Sequence, residues 1–264
     1  MVRDLVQAAD WQTVPISSCD GEVGPEGVVI HEVIGADSPY LPAAMELLRI
    51  IFPDYERYAA DLRLCALQRS PAHPATLDHL WVIEKAGRPI GVRLFHYIYP
   101  RNVGYGAFIG LLEDYRCQGV SSWLVNRTLA QLCADAQSFG RPEPPGYVIE
   151  VEPIHAAKDN ADRVDCERRL AFHLKNNAYL LDVDYIEPPT IEGLDVIAAD
   201  DLADVETGPM HLAFYPVRPD TRLTAPELIN VIEALYIDSY RLEPDSGYVR
   251  RAIDSVLAHA GVGC

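Results

Sequence analysis

The chain has 264 residues, 49% hydrophobic and 23% charged, which allows one large domain or two small ones around a real core. Its formal net charge of −17 excludes the basic surface that a nucleic-acid binder needs. No apolar run is long enough to cross a bilayer, and Met1 to Ala9 lacks the apolar core of a secretory leader.

Cys19, Cys65, Cys117, Cys133, Cys166 and Cys264 are scattered, with no CxxC pair. They read as free thiols in a reducing compartment, and a cytoplasmic location is expected. His31, His73, His79, His96, His155, His211 and His259 show no ligand spacing, so no metal is expected. The acidity reads first as solubility and second as an attractive field for a cationic amine.

In chain order, residues 1–27 form an irregular arm rich in Pro and Gly. Val28 to Ile34 is a strand pattern with β-branched residues. A helix is predicted from Pro39 to Ile51, capped by Ser38, and a second from Asp54 to Arg69. Leu80 to Lys85 and Ile90 to Tyr99 flank Ala86-Gly87-Arg88-Pro89, a hairpin signal. A third strand, Gly104 to Leu112, completes an antiparallel meander. Val120 to Gln137 is helical, Tyr147 to Val151 a strand, and Arg163 to Asn176 a helix with Asn177 as its left-handed cap. Tyr179 to Ile186 and Met210 to Val217 read as strands around an acidic loop with Asp195, Asp200, Asp201 and Asp204. Two tail helices, Pro226 to Arg241 and Gly247 to Ala260, follow. The fold class is mixed α/β with a mostly antiparallel sheet. The division expected is the arm, a domain over 28–217, and a helical extension over 218–264 packed on the same domain.

Arg116-Cys117-Gln118-Gly119-Val120-Ser121 joins the third meander strand to a helix. Free amides and the dipole at a helix start favour an anion, and Gly119 lets backbone approach it closely. The residue pattern predicts a phosphate or pyrophosphate held by amides. Cys117, in the same turn, is a candidate nucleophile, although no base stands near it in sequence.

This loop resembles the pyrophosphate loop of the GCN5-related N-acetyltransferases, Gln/Arg-x-x-Gly-x-Gly/Ala, with Ser121 at the last position. Ala171-Phe172-His173-Leu174-Lys175-Asn176-Asn177-Ala178-Tyr179 resembles the later A-F-Y-E-K-x-G-F helix and turn of that family. Phe52-Pro53-Asp54-Tyr55-Glu56-Arg57 and Leu181 to Pro188 are similar to a subset with a C-terminal helical extension. The resemblance implies an acyltransferase that moves an acetyl or other acyl group from acyl-CoA to a small-molecule amine within a ternary complex. It implies a V-shaped splay between the fourth and fifth strands, opened by a bulge. The backbone of Leu111, Leu112 and Glu113 would pair with the pantetheine arm, with the Leu112 amide near the oxyanion. The amides of Cys117, Gln118, Gly119, Val120, Ser121 and Ser122 would take the pyrophosphate. Arg116 adds charge or caps the loop.

Acetyl-CoA or another acyl-CoA is the cosubstrate implied. The partner implied is a small-molecule amine, with no nucleic acid or membrane, and with homodimerisation left open. Glu152 is the candidate base, with Glu150 on the same strand face as a substrate contact. His173 stands where the family has its Tyr acid; it is either a proton donor or a packed helix residue. Tyr185 is a hydrogen-bond donor to the site or a core aromatic. Glu56 and Arg57 are substrate contacts or a surface ion pair. A non-catalytic acyl-CoA binder, and an enzyme using a longer acyl-CoA or an acyl-carrier protein, are the other readings.

Overall fold

Ala86 and Gly87 hold φ of 51° and 79°, the paired positive values of a two-residue turn whose twist matches that of its strands. They close the hairpin between Thr76–Lys85 and Arg88–Ile98, on which the first half of the protein is built. The computed structural model describes residues 13–71, 73–188, 208 and 210–261. The expected acidic loop with Asp195, Asp200, Asp201 and Asp204 lies outside these residues, as do Cys264 and the start of the N-terminal arm. The chain falls into two compact units, one ending at Pro144 and one beginning at Pro145.

In the first unit, β1 (Val28–Glu32), β2 (Thr76–Lys85), β3 (Arg88–Ile98) and β4 (Val103–Leu111) pair antiparallel in chain order. Strand alternation sorts the sheet into two faces. Leu80, Val82, Val92 and Leu94 form one face and pack in a cluster with Leu41, Ala44, Leu47 and Leu48 of α1 (Leu41–Ile51) and Leu62 of α2 (Leu62–Cys65). The other face carries His79, Trp81, Arg93 and Phe95, all buried, toward α3 (Val120–Ser138). Arg93 Nε donates to Thr128 Oγ1 of α3 at 3.0 Å, so a charged side chain is accommodated inside by directed bonds. The β3–β4 register shifts between Leu94 and Phe95, leaving Ala107 as the extra residue of a β-bulge.

The second unit pairs β5 (Gly146–Val151) with β7 (His211–Pro216), and β7 with the two-residue β6 (Tyr179–Leu180), all antiparallel. Its helices are α4 (Asn160–Lys175), α5 (Ala225–Glu233) and α6 (Gly247–Gly261), with a π-helical turn at Ala234–Ser239. α4 ends in a Schellman motif: Ala178 N–H donates to His173 O at 3.1 Å, Asn177 N–H donates to Leu174 O at 3.2 Å, and Asn177 has φ 67°.

Three sequence expectations are corrected. The first helix starts at Leu41 with Tyr40 as its cap, not at Pro39 after Ser38, because Pro42 supplies the first-turn proline whose missing N–H costs nothing. The helix expected over 54–69 is a 3-10 stretch, Pro53–Ala59, followed by the short α2; Tyr55 (φ −112°, ψ 19°) interrupts helical geometry. The strand expected to Ile186 ends at Leu180; beyond it Val183 N–H and Tyr185 N–H donate locally, to Leu181 O and Val183 O, and only Leu181 N–H to Leu212 O and Met210 N–H to Tyr185 O continue the pairing.

Candidate active site

The loop before α3 is built on two left-handed residues, Cys117 (φ 62°) and Gly119 (φ 81°). Gly119 caps the helix, an exposed position where a Cβ would meet nothing within 4 Å, so backbone conformation rather than space favours glycine. No side chain caps the helix and its first turn holds no acid. Among the described residues, none of the amides from Cys117 to Ser122 donates to another protein group. Neighbouring amides left free at a helix start form an anion-binding concavity. Arg116 Nε donates to Leu111 O at 3.0 Å, so its side chain ties the end of β4 to the loop.

The backbone ahead of the loop is partly committed. Leu112 N–H donates to Ile90 O at 2.8 Å, so the amide expected near the oxyanion is already used within the sheet. Leu112 O and Glu113 O accept from Tyr115 and Arg116 amides at 3.0 and 3.1 Å. The Glu113 N–H donates to no protein group among the described residues.

In the second unit, Glu150 of β5 sits among tyrosines. The Tyr185 hydroxyl donates to its Oε1, and Tyr240 Oη lies 2.9 Å from each carboxylate oxygen. Tyr185 is 1% exposed and stacks on Tyr236 at 4.9 Å. Glu152, just past β5, instead pairs with Arg169 of α4 at 2.6 Å in a half-exposed setting. His173 is buried on α4, its Nδ1 2.6 Å from the Tyr215 hydroxyl of β7.

Residues 41–138 match the model of the Acetyltransferase (GNAT) family, from the first residue of α1 to the last of α3. The chain carries a GNAT acetyltransferase domain. No curated protein matches the chain. Among solved structures it is similar to a GNAT-family acetyltransferase from Bacteroides thetaiotaomicron, with 19% identity, 81% of this chain and 99% of that one covered, and a TM-score of 0.48. It is also similar to a GNAT acetyltransferase from Elizabethkingia anophelis with acetyl-CoA bound (15% identity, 72% and 97% covered, TM-score 0.42). A third is an aminoglycoside 6'-N-acetyltransferase complexed with coenzyme A (11%, 74% and 99%, TM-score 0.49). None of these scores reaches 0.5, and the family match is what identifies the domain.

Within the GNAT domain, Glu56 is exposed with its Oε1 3.5 Å from Arg49 Nε; the Arg57 side chain lies outside what is described. Cys117 is exposed and has no hydrogen-bonded base among the described residues. An aromatic group on the same domain stands outside the site residues expected from sequence. Phe108, next to the bulge, meets Phe52, Tyr55 and Tyr58 with centroids at 5.1, 5.8 and 5.8 Å, all partly exposed. Phe52, Tyr55 and Tyr58 at three-residue spacing were the available signal. Tyr240 had none, standing 90 residues from Glu150.

Proposed function

We propose that the protein is an N-acyltransferase that moves an acetyl or related acyl group from acyl-CoA to an amine of a small molecule. The observation that carries this reading is the set of free amides from Cys117 to Ser122 at a helix start without a capping side chain or an acid. The pyrophosphate of CoA is the anion assigned to it, and the free Glu113 N–H is the donor offered to the pantetheine arm. The GNAT match over 41–138 supports acyl transfer.

In the reaction the amine nitrogen attacks the thioester carbonyl, the C–S bond breaks, and CoA leaves as the thiolate. The ammonium form must lose a proton before attack. We assign that proton to Glu150, directly or through water, because two tyrosines hold its carboxylate in place. Glu152, expected in this role, is engaged by Arg169. His173 is given no acid role, since it is buried in the packing of α4 against Tyr215 and a thiolate departs without an acid. The aromatic group around Phe108 is assigned to the acceptor, as a wall suited to an apolar or cationic amine.

Calorimetric titration with acetyl-CoA and longer acyl-CoAs tests the reading, using the wild type and Gly119→Glu. Gly119→Glu is expected to bind at least about tenfold more weakly, the equivalent of one charge-assisted hydrogen bond. Unchanged affinity would sink the loop assignment. Thiol release across a panel of primary amines then separates an enzyme from a binder; tight binding with no release from any amine favours the binder.

A further inference from the structure

Cys65, His73 and Asp78 have no ligand pattern in sequence, yet folding gathers them in the first unit. Cys65 ends α2, His73 lies in the loop that follows, and Asp78 is the third residue of β2. One ligand atom from each lies within 4.8 Å of the others. His73 Nδ1 is 3.3 Å from Asp78 Oδ2. Two ligands on a tetrahedral zinc with bonds of about 2.0–2.1 Å stand about 3.3 Å apart. Asp78 is fully buried and its other oxygen, Oδ1, is held by the Thr76 hydroxyl at 2.7 Å and by His96 Nδ1 at 2.8 Å. Oδ2 is therefore the oxygen turned to His73, and Oδ1 carries the outer hydrogen bonds usual for a ligating carboxylate. Cys65 is buried, with its sulfur in the same group of ligand atoms.

We infer that Cys65, His73 and Asp78 bind one divalent ion of the zinc class, with His96 as a positioning residue on the carboxylate. Thiolate, imidazole and carboxylate form the borderline-soft set that suits zinc better than calcium or magnesium. The ion displaces the Cys65 thiol proton to solvent. His73 ligates through Nδ1 as neutral imidazole with its proton on Nε2. Thiolate and carboxylate together neutralise the ion, which makes its burial tolerable. The His73 side chain is 20% exposed, so a water can take the fourth position from the solvent side. The ion ties the end of α2 to the start of β2 across a loop that carries Pro71 and Pro74.

The test is a cobalt(II) titration of the full chain after chelator treatment, with elemental analysis of the untreated protein. Wild type is expected to bind one equivalent with a thiolate-to-cobalt charge-transfer band. Cys65→Ser should remove that band, and His73→Ala should weaken binding at least about tenfold with unchanged circular dichroism. His96→Phe should weaken it about 10–100-fold while keeping the band, as expected of an outer residue. Absence of the band in wild type, or its survival in Cys65→Ser, overturns the inference. If Cys65→Ser does not fold, undiminished cobalt affinity in His73→Ala, a loop substitution, overturns it equally.

Discussion

Glu150 and Glu152 stand two positions apart at one strand end and meet different chemistry. Glu150 is held by Tyr185 and Tyr240, whereas Glu152 shares an exposed ion pair with Arg169. Exposed pairs contribute about 0–1 kcal/mol, so Glu152→Gln should change turnover and stability little. Glu150→Gln keeps the shape and most hydrogen bonds but cannot take a proton. It should lower kcat/KM for the best amine of the panel by about 10²–10⁴-fold, with acyl-CoA affinity unchanged. Steady-state kinetics of the two variants decides between them, and equal effects would remove Glu150 from the role. Alternation made the shared face of the two glutamates legible in sequence. Their partners were not legible, because Tyr240 reaches Glu150 from the tail and no local pattern encodes that meeting.

The first unit depends on how closely α1 approaches β4. A Cβ on Gly110 would stand 2.5 Å from Ile51 Cγ2 and 2.8 Å from Phe52 Cζ, so the strand needs glycine where the helix ends. Gly110→Val should cost about 1–3 kcal/mol through overpacking, measured by urea denaturation. It should also raise KM for the amine, because Phe52 belongs to the aromatic group on Phe108. Wild-type stability would show that the contact relaxes freely. Elements with strong local codes were readable: the Ala86-Gly87 turn, the long periodic α3, and the Asn177 cap. The start of α4 was also encoded, by Asp159 accepting from Asp162 N–H at 2.9 Å, but the apolar spacing read for that helix begins later. The stretch 53–65 was misread because apolar spacing alone does not distinguish one helix from a 3-10 turn followed by a short helix.

At the scale of the whole first unit, a buried ionic chain joins β1, β2 and α3. His79 Nδ1 is 2.6 Å from Glu32 Oε1 and its Nε2 is 3.1 Å from Asp135 Oδ2, with all three buried. Burial alone would lower the His79 pKa, but the Asp135 and Glu32 carboxylates raise it to about 10. For Glu32, burial raises the pKa, and the hydrogen bond and charge of His79, with Ser18 and Trp81, outweigh it to give a net lowering. A carboxylate with a depressed folded pKa stabilises above its unfolded value, about 4.3, and that stability is lost as pH falls through the folded value. The denaturation midpoint should therefore drop below about pH 4.3, and Glu32→Gln should flatten this acid limb. An acid limb of the same slope in Glu32→Gln would place the acid sensitivity elsewhere. None of this chain was legible in sequence, since its members lie 47 and 56 residues apart and each reads alone as an ordinary polar residue. The free amides before α3 pose the opposite problem for genetics. Their donors belong to the main chain, so an alanine scan from Cys117 to Ser122 would leave them in place at every position except Gly119, whose left-handed backbone alanine would strain. Only changes that act on the backbone, such as proline or a bulky charge at Gly119, would expose the region to selection.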